Sequence, residues 1–399
     1  MKMPQIFADL HIHSKYSRAT SRNLDLDNLA RYARIKGLDV LGTGDFTHPL
    51  WMNELKQKLK GEGGIYSYGG MNFILSCEIS LMYRQDGKGR RIHHILLAPS
   101  LDVASQINEW LDTRGRRDYD GRPIFGFSSI ELADAMTEIS KGIEIIPAHA
   151  WTPYFGIFGS ISGFDSIKEC FRDKAKCIHA IETGLSSDPA MNWRIRELDG
   201  YSLVSFSDAH SFWPWRLGRE CTAFDIKKLG YEKILESIRK NKIQMTLEFY
   251  PEEGKYHYDG HRGCKVCMHP RETKKEKGIC PKCKKPLTIG VLSRVEQLAD
   301  EKRPEGFMPK GAAPFKSIVP LSELLAAAAG SGVSSKKVAG VHSKLVGNFK
   351  SEIDVLLNAE AKEIEKVAGK KVSDIILSNR GGKMKIIPGY DGEYGRLVL

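Results

Sequence analysis

The residues best suited to chemistry sit where apolar runs end. In "FADLHIHS", period-two alternation places Asp9, His11 and His13 on one face of an extended segment. Similar groups close other apolar runs: Asp45 and His48 in "LGTGDFTH", Glu78 in "NFILSCEISL", His94 in "RIHHILLAP", His149 in "IIPAHAW", and Asp208 with His210 in "VSFSDAH". Imidazoles and carboxylates together suit zinc, manganese or iron, with magnesium a further candidate for activity. Two such ions about 4 Å apart lower the pKa of a shared water and stabilise charge on a transferring phosphate. A second group is "CKVC" and "CPKC", twelve residues apart, which holds Cys264, Cys267, Cys280 and Cys283. That spacing predicts a closed, structural tetrahedral zinc site. His261 and His269 lie near it but are not needed if all four thiolates bind.

The elements that must position these groups alternate. Short strand-like runs up to about residue 245 are separated by helical patterns such as "LDNLARYARIKG", stopped by Gly37, and by Ser128–Ile139 and Tyr231–Lys240. Such alternation predicts an α/β barrel or a doubly wound sheet. Barrel strands carry active sites at their carboxyl ends, which is where the metal-capable residues fall. The expected domains are a phosphoesterase barrel over 1–250, a zinc module over 255–290, and a linker helix with a helical C-terminal domain over 291–399. The chain closes in a glycine-rich stretch, "SNRGGKMKIIPGYDGEYGRLVL".

The formal charge is +11, from 60 basic and 49 acidic residues, which favours a polyanionic partner. From Arg271 to Lys285, seven basic residues face two acidic ones, so a hairpin carrying Lys274 and Lys275 is a candidate phosphate contact. No window approaches a membrane span, and the start lacks a signal-peptide core, so a cytoplasmic protein is expected. The cysteines read as a metal site plus ordinary thiols, not a disulfide framework.

The ordered set "DLHIHS", "TGDFTH", "CE", "HHIL", "PAHA" and "SDAH" resembles the polymerase and histidinol phosphatase (PHP) superfamily over about residues 5 to 245. The resemblance implies a distorted (β/α)7 barrel holding two or three divalent metals. It assigns His11, His13, Glu78 and Asp208 to one metal, with Glu78 bridging to a second held by His94 and His149. His93 is the alternative to His94, and the apolar "ILL" that follows favours His94. Asp45 or His48, with His210, would hold a third metal. Asp208, Glu78 and His210 are the expected catalytic residues. Asp9 matches no ligand position and would orient a histidine. Two positions depart from the superfamily pattern: Arg18 stands where an aspartate is common, and Gly44-Asp45-Phe46 replaces "TDH".

Longer phrases narrow the resemblance. "FADLHIHSKYSRATS", "IPAHAWTPYFGIFGS", "SFSDAHSFWPWRLGRE" and "GVLSRVEQLAD" are similar to the endonuclease Q family of DNA-repair enzymes. That resemblance implies hydrolysis 5′ to deaminated bases (uracil, hypoxanthine, xanthine) and abasic sites, leaving 3′-hydroxyl and 5′-phosphate ends. A flipped-out lesion fits this, because poorly paired bases cost less to extrude. Arg18, Trp151, Tyr154, Phe155, Trp213, Arg216 and Arg219 are then candidates for holding DNA or the lesion. Damaged double- or single-stranded DNA is the expected partner, a replication clamp a further one, and a monomer the expected state. The alternative is a PHP-type phosphatase acting on a small phosphate ester.

Overall fold

A computed structural model describes residues 5–398. Seven strands frame the site: β1 (Gln5–Asp9), β2 (Val40–Gly42), β3 (Met71–Gln85), β4 (Lys88–Ala98), β5 (Glu144–Pro147), β6 (Ala180–Glu182) and β7 (Ser202–Val204). β1, β2 and β3 run parallel, with Ala8 opposite Val40 and Val40 opposite Asn72. β4 is antiparallel to β3 and to β5, pairing Glu78 with Ile95 and His94 with Pro147. β6 packs beside β5 and pairs in parallel with β7. A parallel bridge from Ile12 to Ala209 leads from the end of β7 back to the end of β1.

Period two explains the layering. Ala8, Val40, Ile74, Ile95, Ile146, Ala180 and Val204, one from each strand, belong to a single buried cluster. Their neighbours Phe7, Leu41, Leu75, Leu96, Ile145 and Ile181 point the other way, into the core shared with the helices. Each fully buried aliphatic side chain contributes about 1.5–3 kcal/mol, so a one-residue slip in any strand is strongly disfavoured.

The helices follow their sequence signals. Leu26–Lys36 begins where the Asp25 carboxylate accepts from the Asn28 N–H at 2.9 Å, and ends at Gly37 with φ +97°. Ser128 caps the helix Ser129–Ile139, and Tyr231–Arg239 buries Ile234, Leu235 and Ile238 against the strand cluster. β8 (Cys221–Asp225) and β9 (Ile243–Glu248) extend the sheet beyond β1.

The C-terminal half is less independent than its sequence suggests. Phe315–Ser317, within the segment expected to belong to the C-terminal unit, adds a parallel strand to β9. The helix Val291–Leu298 is clamped to the first unit: Arg194 pairs with Glu296, and Arg294 donates to the Phe158 and Phe164 carbonyls. Five helices follow between Leu321 and Arg380. The glycine-rich stretch beyond them is a built hairpin, Lys385–Ile387 paired with Arg396–Val398. Its backbone is laced to the turn Pro251–Glu253, with Gly389 N donating to the Glu252 carbonyl at 2.8 Å and Gly395 N to that of Glu253 at 3.0 Å. A Cβ on Gly395 would fall 2.1 Å from the Glu252 oxygen, so glycine is required there for backbone to touch backbone. Among the described residues, no helix is long and apolar enough to cross a membrane.

Candidate metal centre and the cavity above it

Segments just past the ends of β1, β5 and β7 converge with the middles of β3 and β4, where Glu78 and His93 lie instead of at strand ends, on one buried group of ligand atoms. His11, His13, Glu78 and Asp208 each offer an atom within 4.8 Å of the others, and Glu78, His93 and His149 form a second such set. Glu78 is therefore shared. His13 Nε2 lies 3.3 Å from Glu78 Oε2 and 3.1 Å from Asp208 Oδ1, while His11 Nε2 lies 3.6 and 3.7 Å from the same two carboxylates. On the other side of Glu78, His93 Nδ1 stands 2.6 Å and His149 Nε2 3.0 Å from Oε1.

Backbone strain helps aim these groups. Asp45, His149 and Asp208 all have positive φ, at +47°, +29° and +47°. Such conformations cost energy for residues with a Cβ and persist where surrounding structure enforces them. Gly184, at φ +63°, lets the backbone after β6 pass His149, where a Cβ would meet the His149 Cβ at 2.6 Å.

A layer of acceptors fixes the imidazoles. His11 Nδ1 donates to Glu182 at 3.0 Å, His13 Nδ1 to Asp45 at 3.0 Å, and His149 Nδ1 contacts the Thr152 hydroxyl at 2.9 Å. Each ring thus turns its other nitrogen inward, the arrangement by which outer partners orient metal-binding histidines. His11 Nε2 is buried with no hydrogen-bond partner, which fits a ligand atom awaiting a cation. The donor set and its geometry fit divalent metals in two half-sites.

The electrostatics agree. Burial works against the Glu78 carboxylate, but His93, Arg122 and His11 outweigh it and hold its pKa well below the ordinary range. Burial likewise opposes charge on Asp208, and His210, His11 and His13 bring its pKa well down. Burial lowers His93 to about 4, against the pull of Glu78.

Several residues stand elsewhere than the sequence suggested. His93, not His94, joins Glu78 and His149. His94 lies on the other face of β4, with Nε2 2.8 Å from the Ser129 hydroxyl, and burial drops its pKa to about 3. In adjacent positions of a strand only one side chain can face the site, and the pleat gives that face to His93. Asp45 accepts from the Ser14 backbone and hydroxyl and from the Ser17 hydroxyl, and its Oδ1 meets His13 Nδ1, so it orients that ligand. His48 stacks on Tyr16 at 4.4 Å and contacts the Asp118 carbonyl, outside the cluster. His210 stays beside Asp208 and His13, with Nδ1 on the Asp208 carbonyl. Asp9 does not orient a histidine. It accepts from the Ser207 N–H and hydroxyl and from the Gly218 N–H, which fixes the backbone beside Asp208.

Two site residues escaped sequence reasoning. Glu182 is buried in "IETG" as one more carboxylate at a strand end, and it also accepts from the His149 N–H. Arg122 comes from the loop "DGRP" and reaches Glu78 at 3.0 Å; nothing local in the sequence marks it.

Above the ligands opens a cavity of about 450 Å³, walled by Arg18, Arg122, Tyr154, Phe155, Tyr256 and Tyr394. Phe155 stacks on His93 at 4.4 Å, and Tyr154 is half exposed at the mouth. Arg18 pairs with Asp120 at the rim. Trp151 is not a cavity residue: it is wholly buried and donates to Asn192. Trp213 stacks face to face on Trp215, 5.2 Å away, over a separate groove beside Tyr32. Arg219 donates to the Ser207 carbonyl and Arg216 approaches Glu323 at 4.0 Å. Lys274 and Lys275 end an exposed helical turn, Pro270–Lys275.

In the cysteine unit three of the four expected thiols converge. Cys264, Cys280 and Cys283 converge with His261, whose Nδ1 lies 3.4 Å from Cys283 Sγ, while Cys267 is exposed. Cys267 sits in the strand Val266–Met268, where alternation buries Val266 and turns Cys267 outward. The N–H groups of Cys283 and Lys282 offset desolvation at Cys280 and bring its thiol down to about 6, as suits a thiolate ligand.

Buried imidazoles and carboxylates sharing one glutamate beneath an open cavity define a metal-dependent hydrolase. Lesion-specific endonuclease PfuEndoQ from Pyrococcus furiosus superposes with a TM-score of 0.89 at 32% identity, over 99% of this chain and 96% of that one. An endonuclease Q complex with a 27-mer duplex bearing an abasic lesion at its active site gives 0.88 at 32% identity, over 99% and 97%. The chain belongs to the endonuclease Q family. Residues 320–383 match the MJ0043 C-terminal domain family. MJ0043 of Methanocaldococcus jannaschii is 34% identical over 288 residues, so the match spans 71% of this chain but about a third (35%) of that protein. YqxK of Bacillus subtilis is 26% identical over 418 residues, covering 99% of this chain and 100% of that one.

Proposed function

We propose that the chain is a DNA-repair endonuclease that hydrolyses the phosphodiester bond 5′ to deaminated bases and abasic sites, leaving 3′-hydroxyl and 5′-phosphate ends. The observation that carries this reading is the pair of half-sites sharing Glu78 at the floor of a cavity about 450 Å³ in size. We read the seven-strand circuit as a PHP-type barrel. His11, His13, Glu78 and Asp208 would hold one divalent ion, and Glu78, His93 and His149 the other. When bound, the ions supply an activated water and neutralise charge on the phosphate. The protein does the rest. Glu182, Asp45 and Thr152 lock the imidazoles, so no reorganisation is needed during reaction. Arg122, held by Glu78 on the cavity wall, offers a fixed positive charge to a non-bridging phosphate oxygen. His210, beside the ionised Asp208, is placed to hand a proton to the leaving oxygen. Tyr154, Phe155 and Tyr256 give a flipped base or sugar an aromatic wall.

The test is a panel of duplexes with a single uracil, hypoxanthine, xanthine or abasic position, run beside a generic phosphate monoester. Lesion-dependent nicking at the 5′ side, lost on chelation and in Asp208→Asn with DNA binding retained, supports the assignment. Turnover of the monoester with all duplexes intact would make the chain a small-ester phosphatase instead.

A further inference from the structure

A second cavity, about 410 Å³, adjoins the first. Leu185, Gly254 and Tyr394 line both, so the two are separated only by that wall. The second cavity gathers three guanidinium groups from distant parts of the chain: Arg216 and Arg219 after "SDAH", and Arg396 on the C-terminal hairpin. Two carboxylates, Glu253 and Glu323, line the same cavity, and the three arginines meet them only at a distance. Arg219 contacts a carbonyl and no carboxylate, and its pKa is lowered by burial and by the neighbouring Arg216. Arg216 has one partner, Glu323, at the 4.0 Å limit, and Arg396 forms no ion pair among the described residues. Arg216 and Arg396 are exposed and Arg219 is half-buried, so three like charges border one open space, which suits an anion. Glu253 faces the same space, and its buried Oε1 has no hydrogen-bond partner. Burial, with Glu323 and Glu252 nearby, raises its pKa to about 8, against the pull of Arg219 and Arg216.

We propose that Arg216, Arg219 and Arg396 form a second phosphate subsite, which holds a backbone phosphate of the DNA strand beside the one being cut. The inference rests on the reading of the chain as a DNA endonuclease. It gives the C-terminal hairpin a role: Tyr394, 71% exposed with Lys255 4.5 Å above its ring, stands on the ridge between the cavities where the strand would cross. The hairpin is rigidly placed for this by its backbone bonds to Glu252 and Glu253.

The experiment uses the full-length, metal-loaded protein and abasic duplexes in which single phosphates near the lesion are replaced, one at a time, by neutral methylphosphonate. Binding is followed by fluorescence anisotropy. In the wild type, one linkage other than the scissile one should weaken binding about tenfold when neutralised. In Arg396→Gln, binding to unmodified DNA should already be about tenfold weaker, and neutralising that linkage should add nothing. The slope of log affinity against log salt should fall by about 0.9. Arg216→Gln provides the same comparison if Arg396→Gln disturbs the hairpin. Equal sensitivity of that linkage in wild type and both variants would overturn the subsite while leaving the nuclease reading intact. A wild type that neither cuts nor prefers lesion DNA would sink that reading first.

Discussion

Glu352 ties the C-terminal helices to the first unit, and its charge state should govern that attachment. Its carboxylate accepts from Lys36 Nζ at 2.6 Å, from His342 Nε2 at 2.9 Å and from the Leu321 N–H at 3.1 Å. Lys36 ends the helix Leu26–Lys36, whereas Leu321 and His342 belong to the tail. Lys36 and Glu352 are both fully buried. Burial disfavours the carboxylate, but Lys36 and His342 outweigh it and lower its pKa from 4.5 to about 2. At about 1.4 kcal/mol per pH unit, that difference contributes about 3 kcal/mol of stability. Because the folded pKa is depressed, the contribution is complete above pH 4.5 and fades as pH falls towards 2. Glu352→Gln should therefore cost about 3–5 kcal/mol at pH 7, since it strands the Lys36 ammonium in the interior. Lys36→Met in the same chain should recover part of the loss. Urea midpoints of wild type and variant, measured at pH 6 and pH 3, provide the assay. The gap between them should shrink by about 2 kcal/mol at the lower pH, because the wild type loses that share of its pairing energy. A gap unchanged between pH 6 and 3, or no loss in the variant at pH 7, would refute the assignment of a buried ion pair at this junction.

The adjacent histidines of β4 separate ligand from core. His93→Ala should remove one divalent ion per chain, measured by elemental analysis, and suppress cleavage; His94→Ala should keep the metals and lose about 2 kcal/mol of stability through its Ser129 contact. In the cysteine site, His261→Ala should lose zinc and the visible band of the cobalt-substituted protein should vanish, while Cys267→Ala should retain both. The reverse result would restore the four-thiolate site.

Much was legible without coordinates. Period-two alternation is local, so it placed His11 and His13 together, and the ends of apolar runs marked His149 and Asp208, whereas Glu78, expected at a strand end, lies in the middle of β3. Capping chemistry is equally local, and Asp25, Gly37 and Ser128 mark helix ends as their residue types imply. The Cys-x2-Cys spacing likewise announced a metal unit around residue 270.

The rest depended on which groups meet across long separations. Whether His93 or His94 faces Glu78 turns on the registry of β4 with β3 and β5, and adjacent identical residues carry no local mark of it. Arg122, Glu182 and Asp9 act on partners 44, 171 and 198 residues away. His261 and not Cys267 stands beside the other three thiols because the strand Val266–Met268 turns Cys267 outward, a matter of pleat and not of spacing. The glycine-rich end reads as a tail until Gly389 and Gly395 are seen lying against Glu252 and Glu253, where any side chain would collide. Local residue types thus determined which chemistry the chain carries and roughly where each strand delivers it. Only the tertiary structure decided which atoms share a site, because burial, registry and charge pairing are properties of segments brought together by folding.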